Sequence, residues 1–235
     1  MSTRKHTFLK TIQELEEEFF IRFPAKPTVS TQSIIDRVRR SLSWLRRAAE
    51  LSDEDRPPRF VDLWIALNAL YGQPPYAKKF EPREREDFME FVQRLAELRS
   101  GESQLRHLIG KKHFQVRAQE LIQNRYLWNE WWGKELDKYR ERSRDGLLRF
   151  EKSLRNSDSM TCLSCLFERL LVLRNQIVHG SSSASTRKSR DALYPAILLL
   201  EEILPEFIRL MVHKGHGTDW PPVPYPGKET PQHPE

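Results

Sequence analysis

The chain has 235 residues, enough for one large domain or two small ones, and 38% of them are hydrophobic, which is enough to bury a core and excludes wholesale disorder. Its 39 Lys and Arg against 33 Asp and Glu leave a net charge of +6, which permits contact with phosphates without requiring it. Two cysteines exclude a disulfide scaffold, and the nine glycines form neither a Gly-x-Gly-x-x-Gly nor a Gly-Lys-Ser/Thr loop, which argues against dinucleotide and P-loop sites.

No stretch of the sequence approaches the roughly 18 uncharged apolar residues of a membrane span. The first residues are polar and lack the apolar core of a secretory signal. We therefore expect a cytoplasmic protein that does not contact a membrane.

The first half of the chain predicts helices. Residues 1–29 are interpreted as an N-terminal helical extension. Residues 30–51 place apolar side chains at three- and four-residue steps, as in an amphipathic helix with a basic rim. The run from Phe60 to Tyr71 is apolar almost all round and stops at Gly72, which is typical of a buried central helix. No run alternates in the manner of a strand, so the predicted class is all-α.

Residues 73–158 are more polar and are interpreted as a helical insertion into a single helical domain that spans 30–213. Helices are predicted at 82–99, 102–109, 114–123 and 134–155, separated by glycines. The insertion contains an aromatic cluster of Tyr126, Trp128, Trp131 and Trp132. Packing onto the rest of the domain is the favoured role for this cluster, with stacking on unpaired bases as the alternative.

A second strongly apolar helix is predicted over 159–179, with Gly180 as its C-terminal cap. A serine-rich loop over 181–189 leads to a last helix at about 192–213. Pro195 suits the first turn of that helix, whereas Pro205 should kink or interrupt it. Residues 214–235 are rich in proline and predict a tail that is either flexible or draped over the surface.

The end of the second apolar helix carries three strong polar groups, Arg174, Asn175 and His179. On an ideal helix Asn175 and His179 share a face, and Arg174 lies about 140° round and about 7.5 Å along the axis from His179. The negative end of the helix dipole favours a protonated histidine, which suits general acid or base work. A guanidinium adds a planar fork that fits phosphate oxygens. An arginine together with a histidine is a plausible minimum set of residues for phosphodiester chemistry.

The segment Arg174-Asn175-Gln176-Ile177-Val178-His179-Gly180, late in a long apolar helix, resembles the Arg-x4-His signature of the HEPN superfamily. The helix from Phe60 to Gly72 is similar to the early bundle helix of the Apea-like members. The resemblance covers about residues 30–72 and 159–213. It implies an up-and-down helical bundle that dimerises with its two motifs facing each other. Many members are metal-independent endoribonucleases of toxin, antiviral or RNA-processing systems, and others only bind.

The resemblance also implies roles for these residues. His179 would take a proton from a ribose 2′-hydroxyl or give one to the departing 5′-oxygen, and Arg174 would counter the charge of the phosphorane. Asn175 would orient His179 or bond a phosphate oxygen. The products would be a 2′,3′-cyclic phosphate and a 5′-hydroxyl, and neither a metal nor another cofactor is needed. The implied partners are RNA, a second copy of the chain and an antitoxin or other regulatory protein.

Two alternatives stay open. Arg174 would be structural if it paired with Glu168 or another carboxylate, and His179 would be structural if it capped the helix by bonding a free carbonyl. A HEPN module without catalysis would use the same groove to bind RNA or nucleotide, or to dimerise. Ser181 stands where some family toxins carry a tyrosine that a partner nucleotidyltransferase modifies, which argues against that kind of antitoxin.

Other polar residues are weaker candidates. Arg187 and Lys188, in the loop that follows the motif, and Lys111 and Lys112, in a separate basic patch, are the predicted substrate-binding residues. The segment 181–189 is also a place where a partner protein would cover the site. The Cys162-x-x-Cys165 pair has half the spacing pattern of a zinc site, but its apolar surroundings favour packing.

Overall fold

A computed structural model describes residues 3–23, 29–74, 84–180 and 187–224, without the side chains of 3, 29–30 and 187–190. The helices are α1 Thr3–Arg22, α2 Val29–Glu50, α3 Arg56–Tyr71, α4 Glu84–Glu97, α5 Gly101–Gly110, α6 Lys112–Gln123, α7 Asn129–Trp132, α8 Leu136–Arg155, α9 Ser159–Val178 and α10 Arg187–Lys214, with a 3-10 turn at Arg125–Leu127. These described residues contain no β-strand. The predicted all-α class is confirmed.

The core forms where the two apolar helices α3 and α9 meet α4. Phe167 of α9 is fully buried and stacks on Phe88 of α4, with ring centroids 4.1 Å apart. Trp64 and Tyr71 of α3 complete the cluster, with their centroids 5.5 and 5.7 Å from that of Phe167. Large aromatic rings make this contact a major source of stabilisation. It also fixes the end of α3 and the start of α4 beside α9.

The N-terminal helix α1 packs against α2 and α10. Its apolar stripe is buried, namely Phe8, Ile12, Leu15, Phe19 and Phe23. One carboxylate also links three helices, since Glu201 of α10 accepts from Arg59 of α3 at 2.6 Å and from Arg4 of α1 at 2.7 Å. The predicted extension is thus joined to the main core by both apolar packing and ion pairs.

The last helix differs from the prediction. α10 runs unbroken over Arg187–Lys214, so Pro195 lies two turns inside it and Pro205 does not interrupt it. Each proline removes one helical hydrogen bond. The apolar residues on both sides of Pro205, among them Leu204 and Phe207, are fully buried, and this packing holds the helix together across the gap.

Residues 215–224, at the start of the proline-rich tail, pack on the bundle. Trp220 and Val223 are buried. The fully buried Arg37 of α2 donates to the carbonyls of Pro221 and Pro222 at 2.9 and 3.0 Å, and to those of Leu70 and Gly72 at 2.7 and 2.9 Å. The rest of the predicted tail, residues 225–235, lies outside the described part.

The helices α4, α5, α6 and α8 lie within a few residues of the four helices predicted for the insertion. They contribute to the same hydrophobic core as α3, α9 and α10. Among the residues that the structure describes, no helix is both long and apolar enough to cross a membrane.

Candidate functional site at the end of helix α9

Helix α9 is buried for most of its length and becomes exposed at its C-terminal end. Its N-terminus is capped by Asp158, whose carboxylate accepts from the backbone N–H of Thr161 at 2.9 Å. Burial of apolar side chains continues to Leu173, after which Asn175, Val178 and His179 are exposed. The helix ends at His179, and Gly180 takes a left-handed conformation with φ +66°, which glycine adopts most readily.

Arg174 is held by a carboxylate from α4. Its Nη2 donates to both oxygens of Glu84, and its guanidinium lies 5.4 Å from the ring centroid of Trp64. The Arg174 side chain is 21% exposed and that of Glu84 is 29% exposed. Its Nε is buried without a hydrogen-bond partner, and its Nη1 makes no hydrogen bond to the described residues. One edge of the guanidinium is therefore paired and the other is not.

A tyrosine completes the surroundings of Glu84. The hydroxyl of the buried Tyr71 donates to Glu84 at 3.2 Å. Burial, followed by the charge of Glu84, raises the pKa of Tyr71 well above its ordinary value. Tyr71 is therefore a neutral donor that helps to orient Glu84.

The carboxylate expected to pair with Arg174 is engaged elsewhere. Glu168 accepts from Arg85 Nε at 2.9 Å and lies 3.4 Å from Arg169 Nη2. The first two residues of α4 thus make separate ion pairs with α9, since Glu84 meets Arg174 and Arg85 meets Glu168. Arg174 is thus paired with another carboxylate than Glu168, as the structural alternative allowed, and that carboxylate is Glu84.

His179 is exposed at the C-terminal cap of α9. Its backbone N–H donates to the carbonyl of Asn175 at 3.0 Å, while its ring makes no hydrogen bond or ion pair to the described residues. The alternative in which the His179 ring caps a helix carbonyl is therefore not seen within this part of the chain. The Asn175 side chain is exposed as well, and it does not orient the His179 ring by a hydrogen bond.

The four predicted substrate-binding residues lie in two separate places, at the junction of α5 and α6 and in the first turn of α10. Lys111 and Lys112 lie where α5 meets α6. The opposite end of α6 is the one near the end of α9, where Gln176 donates to the carbonyl of Tyr126 at 2.6 Å. Because α6 is about 16 Å long, the structure does not bring these lysines to Arg174 and His179. Arg187 and Lys188 are in the first turn of α10, and their side chains lie outside the described part.

Sequence reasoning missed Glu84, although it is the residue that contacts Arg174 most closely. Glu84 is 90 positions away in sequence, at the start of a helix with three acidic residues in its first turn. Acidic residues are common there because they complement the helix dipole. The sequence therefore carried no signal that separated Glu84 from its neighbours.

The aromatic cluster of the insertion divides into a buried and an exposed part. Trp128 is buried, with the guanidinium of Arg169 3.7 Å from its ring centroid. Trp132, by contrast, is 48% exposed. The packing interpretation therefore holds for Trp128 but does not account for Trp132.

The cysteine pair is buried in α9. Burial raises the pKa of Cys162 to about 12 and also raises that of Cys165, so both are thiols that pack in an apolar setting. Within the described ranges, no group of three or more His, Cys, Asp or Glu side chains is placed to hold a metal ion.

A cleft between α8 and α9 has a volume of about 490 Å³. Trp128, Arg149 and Arg169 are among its lining residues, but Arg174 and His179 are not. It is therefore distinct from the end of α9.

In the comparisons with known proteins, no family model, no curated protein and no solved structure matches this chain.

Proposed function

We propose that this chain is a metal-independent endoribonuclease of the HEPN type, with Arg174 and His179 as the residues that act on the phosphodiester. The observation that carries the proposal is the half-paired guanidinium of Arg174. Glu84 holds its Nη2 and Trp64 lies against it, while Nη1 makes no hydrogen bond to the described residues. A cation fixed in this way is suited to donate to a phosphate oxygen from its free edge.

His179 would supply the proton chemistry. It is exposed, it ends the same helix, and its ring has no hydrogen-bond partner among the described residues. A histidine in this position is free to take a proton from a 2′-hydroxyl, which then attacks the adjacent phosphorus, or to give one to the 5′-oxygen that leaves. Arg174 would neutralise the extra negative charge of the phosphorane through Nη1. Asn175, exposed beside them, would bind a phosphate oxygen rather than orient His179.

A homodimer follows from this chemistry. One imidazole cannot remove a proton and deliver another in the same step, so the second histidine would come from a second copy of the chain. The activity of such an enzyme must also be inhibited until it is needed, and an antitoxin or other regulatory protein that covers the end of α9 would inhibit it. The biological setting proposed is a toxin or an antiviral defence system.

A second candidate is a non-catalytic HEPN module that binds RNA or nucleotide at the same place. The observation that favours it is the ion pair itself, since Glu84 already neutralises much of the charge of Arg174. A guanidinium in this state would contribute to binding but would stabilise a transition state less.

Cleavage of RNA in the presence of a chelator separates the two candidates. The purified chain is incubated in EDTA with an end-labelled single-stranded RNA and with the DNA of the same sequence. The enzyme proposal predicts fragments with 2′,3′-cyclic phosphate and 5′-hydroxyl ends from RNA only. Because general acid–base catalysis contributes about 10²–10⁴-fold, His179→Ala should lower the rate at least about 100-fold.

Two matched variants control for general effects. His107→Ala removes another exposed histidine, and Arg85→Ala removes the other arginine that joins α4 to α9 by an ion pair. Both should keep the cleavage that Arg174→Ala and His179→Ala lose. RNA that stays intact but still binds would support the non-catalytic module, and cleavage that survives His179→Ala would refute the proposed mechanism.

A further inference from the structure

A partly exposed aromatic surface lies next to the end of α9. We call it the aromatic platform, and it consists of Arg125, Tyr126, Trp131, Trp132 and Tyr139. The guanidinium of Arg125 lies 4.9 Å from the ring centroid of Tyr126 and 4.7 Å from that of Trp131. The Tyr126 and Trp132 ring centroids are 5.9 Å apart, and those of Trp131 and Tyr139 are 5.3 Å apart. The contacts among these side chains hold the rings in a fixed arrangement.

A shared acceptor joins the aromatic platform to α9. The backbone carbonyl of Tyr126 accepts from Trp132 Nε1 at 2.9 Å and from Gln176 Nε2 at 2.6 Å. Gln176 precedes His179 by three positions, so the two residues are neighbours on one side of the helix. The aromatic platform is therefore on the His179 side of α9, about one helical turn from that residue.

The geometry points to the aromatic platform as a stacking site for unpaired bases of a single-stranded RNA. This inference rests on the proposed function, because it names the class of RNA that would reach His179. Bases in a duplex are stacked on each other and offer no free face, whereas bases of a single strand stack readily on aromatic side chains and on arginine. Trp132, with 48% of its surface exposed, is the ring most available for this contact.

The charges around the aromatic platform fit a phosphate backbone. Three acidic residues of this segment are already ion-paired with basic ones, in the pairs Glu130–Arg142, Glu135–Lys138 and Asp137–Arg140. Arg125 is exposed and makes no ion pair within the described ranges, and the same is true of Lys134. Two cations beside the rings therefore remain to contact phosphates on either side of a stacked base.

The test is binding of an oligonucleotide that cannot be cut. A fluorescent 12-nucleotide single strand with 2′-O-methyl riboses is titrated against the full chain, and the same strand annealed to its complement is titrated in parallel. Trp132→Leu keeps an apolar side chain but removes the ring, and it should weaken single-strand binding about tenfold, since stacking is worth about 1–3 kcal/mol per base. Trp132→Phe should retain most of the affinity.

Phe20→Leu is the matched control, because Phe20 is a 73% exposed aromatic residue on α1. It should leave the affinity unchanged. Tryptophan fluorescence of the wild-type chain tests the inference even if a Trp132 variant fails to fold. The single strand should quench part of the tryptophan emission, and the duplex should not. Equal binding by wild type and Trp132→Leu, or quenching by neither strand, would overturn the inference.

The outcomes separate this inference from the proposed enzyme. RNA that binds through Trp132 but is never cleaved would leave the aromatic platform standing and refute the nuclease. Cleavage that continues unchanged in Trp132→Leu, with unchanged affinity, would refute only the aromatic platform. If Trp132→Leu instead turned a dimer into a monomer without altering RNA affinity, the surface would be a protein interface and the inference would be wrong.

Discussion

Replacement of Glu84 by glutamine tests whether Arg174 contacts phosphate. Glutamine keeps the size of the side chain and one acceptor oxygen, but it removes the negative charge that faces Arg174 Nη2. If RNA binds to this guanidinium, the carboxylate competes with phosphate for the same cation. Glu84→Gln should therefore bind RNA more tightly than the wild type, even though it loses an ion pair.

The size of both effects follows from the burial of the pair. The side chains of Arg174 and Glu84 are 21% and 29% exposed. Their ion pair is therefore intermediate between a surface pair, which is worth about 0–1 kcal/mol, and a buried pair, which costs about 3–5 kcal/mol to break. We expect Glu84→Gln to destabilise the fold by about 1–2 kcal/mol. The freed guanidinium should raise RNA affinity about tenfold, which is about 1.4 kcal/mol.

The assay is fluorescence anisotropy with the uncleavable single strand at several salt concentrations. Arg174→Ala, which removes one phosphate contact, should make the slope of log K against log salt shallower by about 0.7. Glu168→Gln is the matched control, since it removes one negative charge from the other ion pair between α4 and α9, Arg85–Glu168 at 2.9 Å. Equal gains in affinity for Glu84→Gln and Glu168→Gln, or an unchanged salt slope for Arg174→Ala, would show that Arg174 does not bind phosphate.

Three further predictions concern stability. Arg37→Met should cost about 3–5 kcal/mol in urea unfolding and expose residues 215–224 to protease, because four carbonyls lose their donor. Burial alone would raise the pKa of Asp158, but hydrogen bonds from the first turn of α9 outweigh it and lower the pKa. Asp158→Ala should therefore cost about 1 kcal/mol at pH 7, and this difference should vanish as the pH falls through the lowered pKa of Asp158. Gly146→Ala should destabilise the fold by about 1–3 kcal/mol, since the added Cβ would lie 2.4 Å from Trp128 Cη2. Gly110→Ala, where a Cβ meets no atom within 4 Å, should stabilise the fold by up to about 1 kcal/mol. Thermal melts in which both variants shift stability in the same direction would refute this packing argument.

The class of fold was predictable because it depends on local signals. Apolar residues at helical spacing mark the long helices, and glycines mark several of the breaks between them. The stop at Gly72 is an example, since the N–H of that residue closes α3 on the carbonyl of Asn68 at 2.7 Å. Such features act over a few residues, and the sequence displays them directly.

Long-range contacts were not predictable in the same way. The prolines of the tail predict by composition a segment that is flexible or draped over the surface, but composition does not reveal that their carbonyls are the acceptors for an arginine about 185 positions earlier, Arg37. The partner of Arg174 was also remote, 90 positions away, and the sequence offered Glu168 as a nearer choice. Which charges meet is decided by how the helices pack, and helical periodicity does not contain that information.

Arg174 is bonded less completely within the fold than two buried arginines, Arg59 and Arg37. Arg59 is only 2% exposed, and both of its Nη atoms are paired, Nη1 with Asp53 at 2.9 Å and Nη2 with Glu201 at 2.6 Å. Arg37 likewise uses both Nη atoms, each on two carbonyls. At Arg174 only Nη2 is bonded within the described part of the chain, although the residue is partly buried. An external anion at Nη1 would add a charge-assisted hydrogen bond to this residue, and a phosphate of RNA is the anion that we propose.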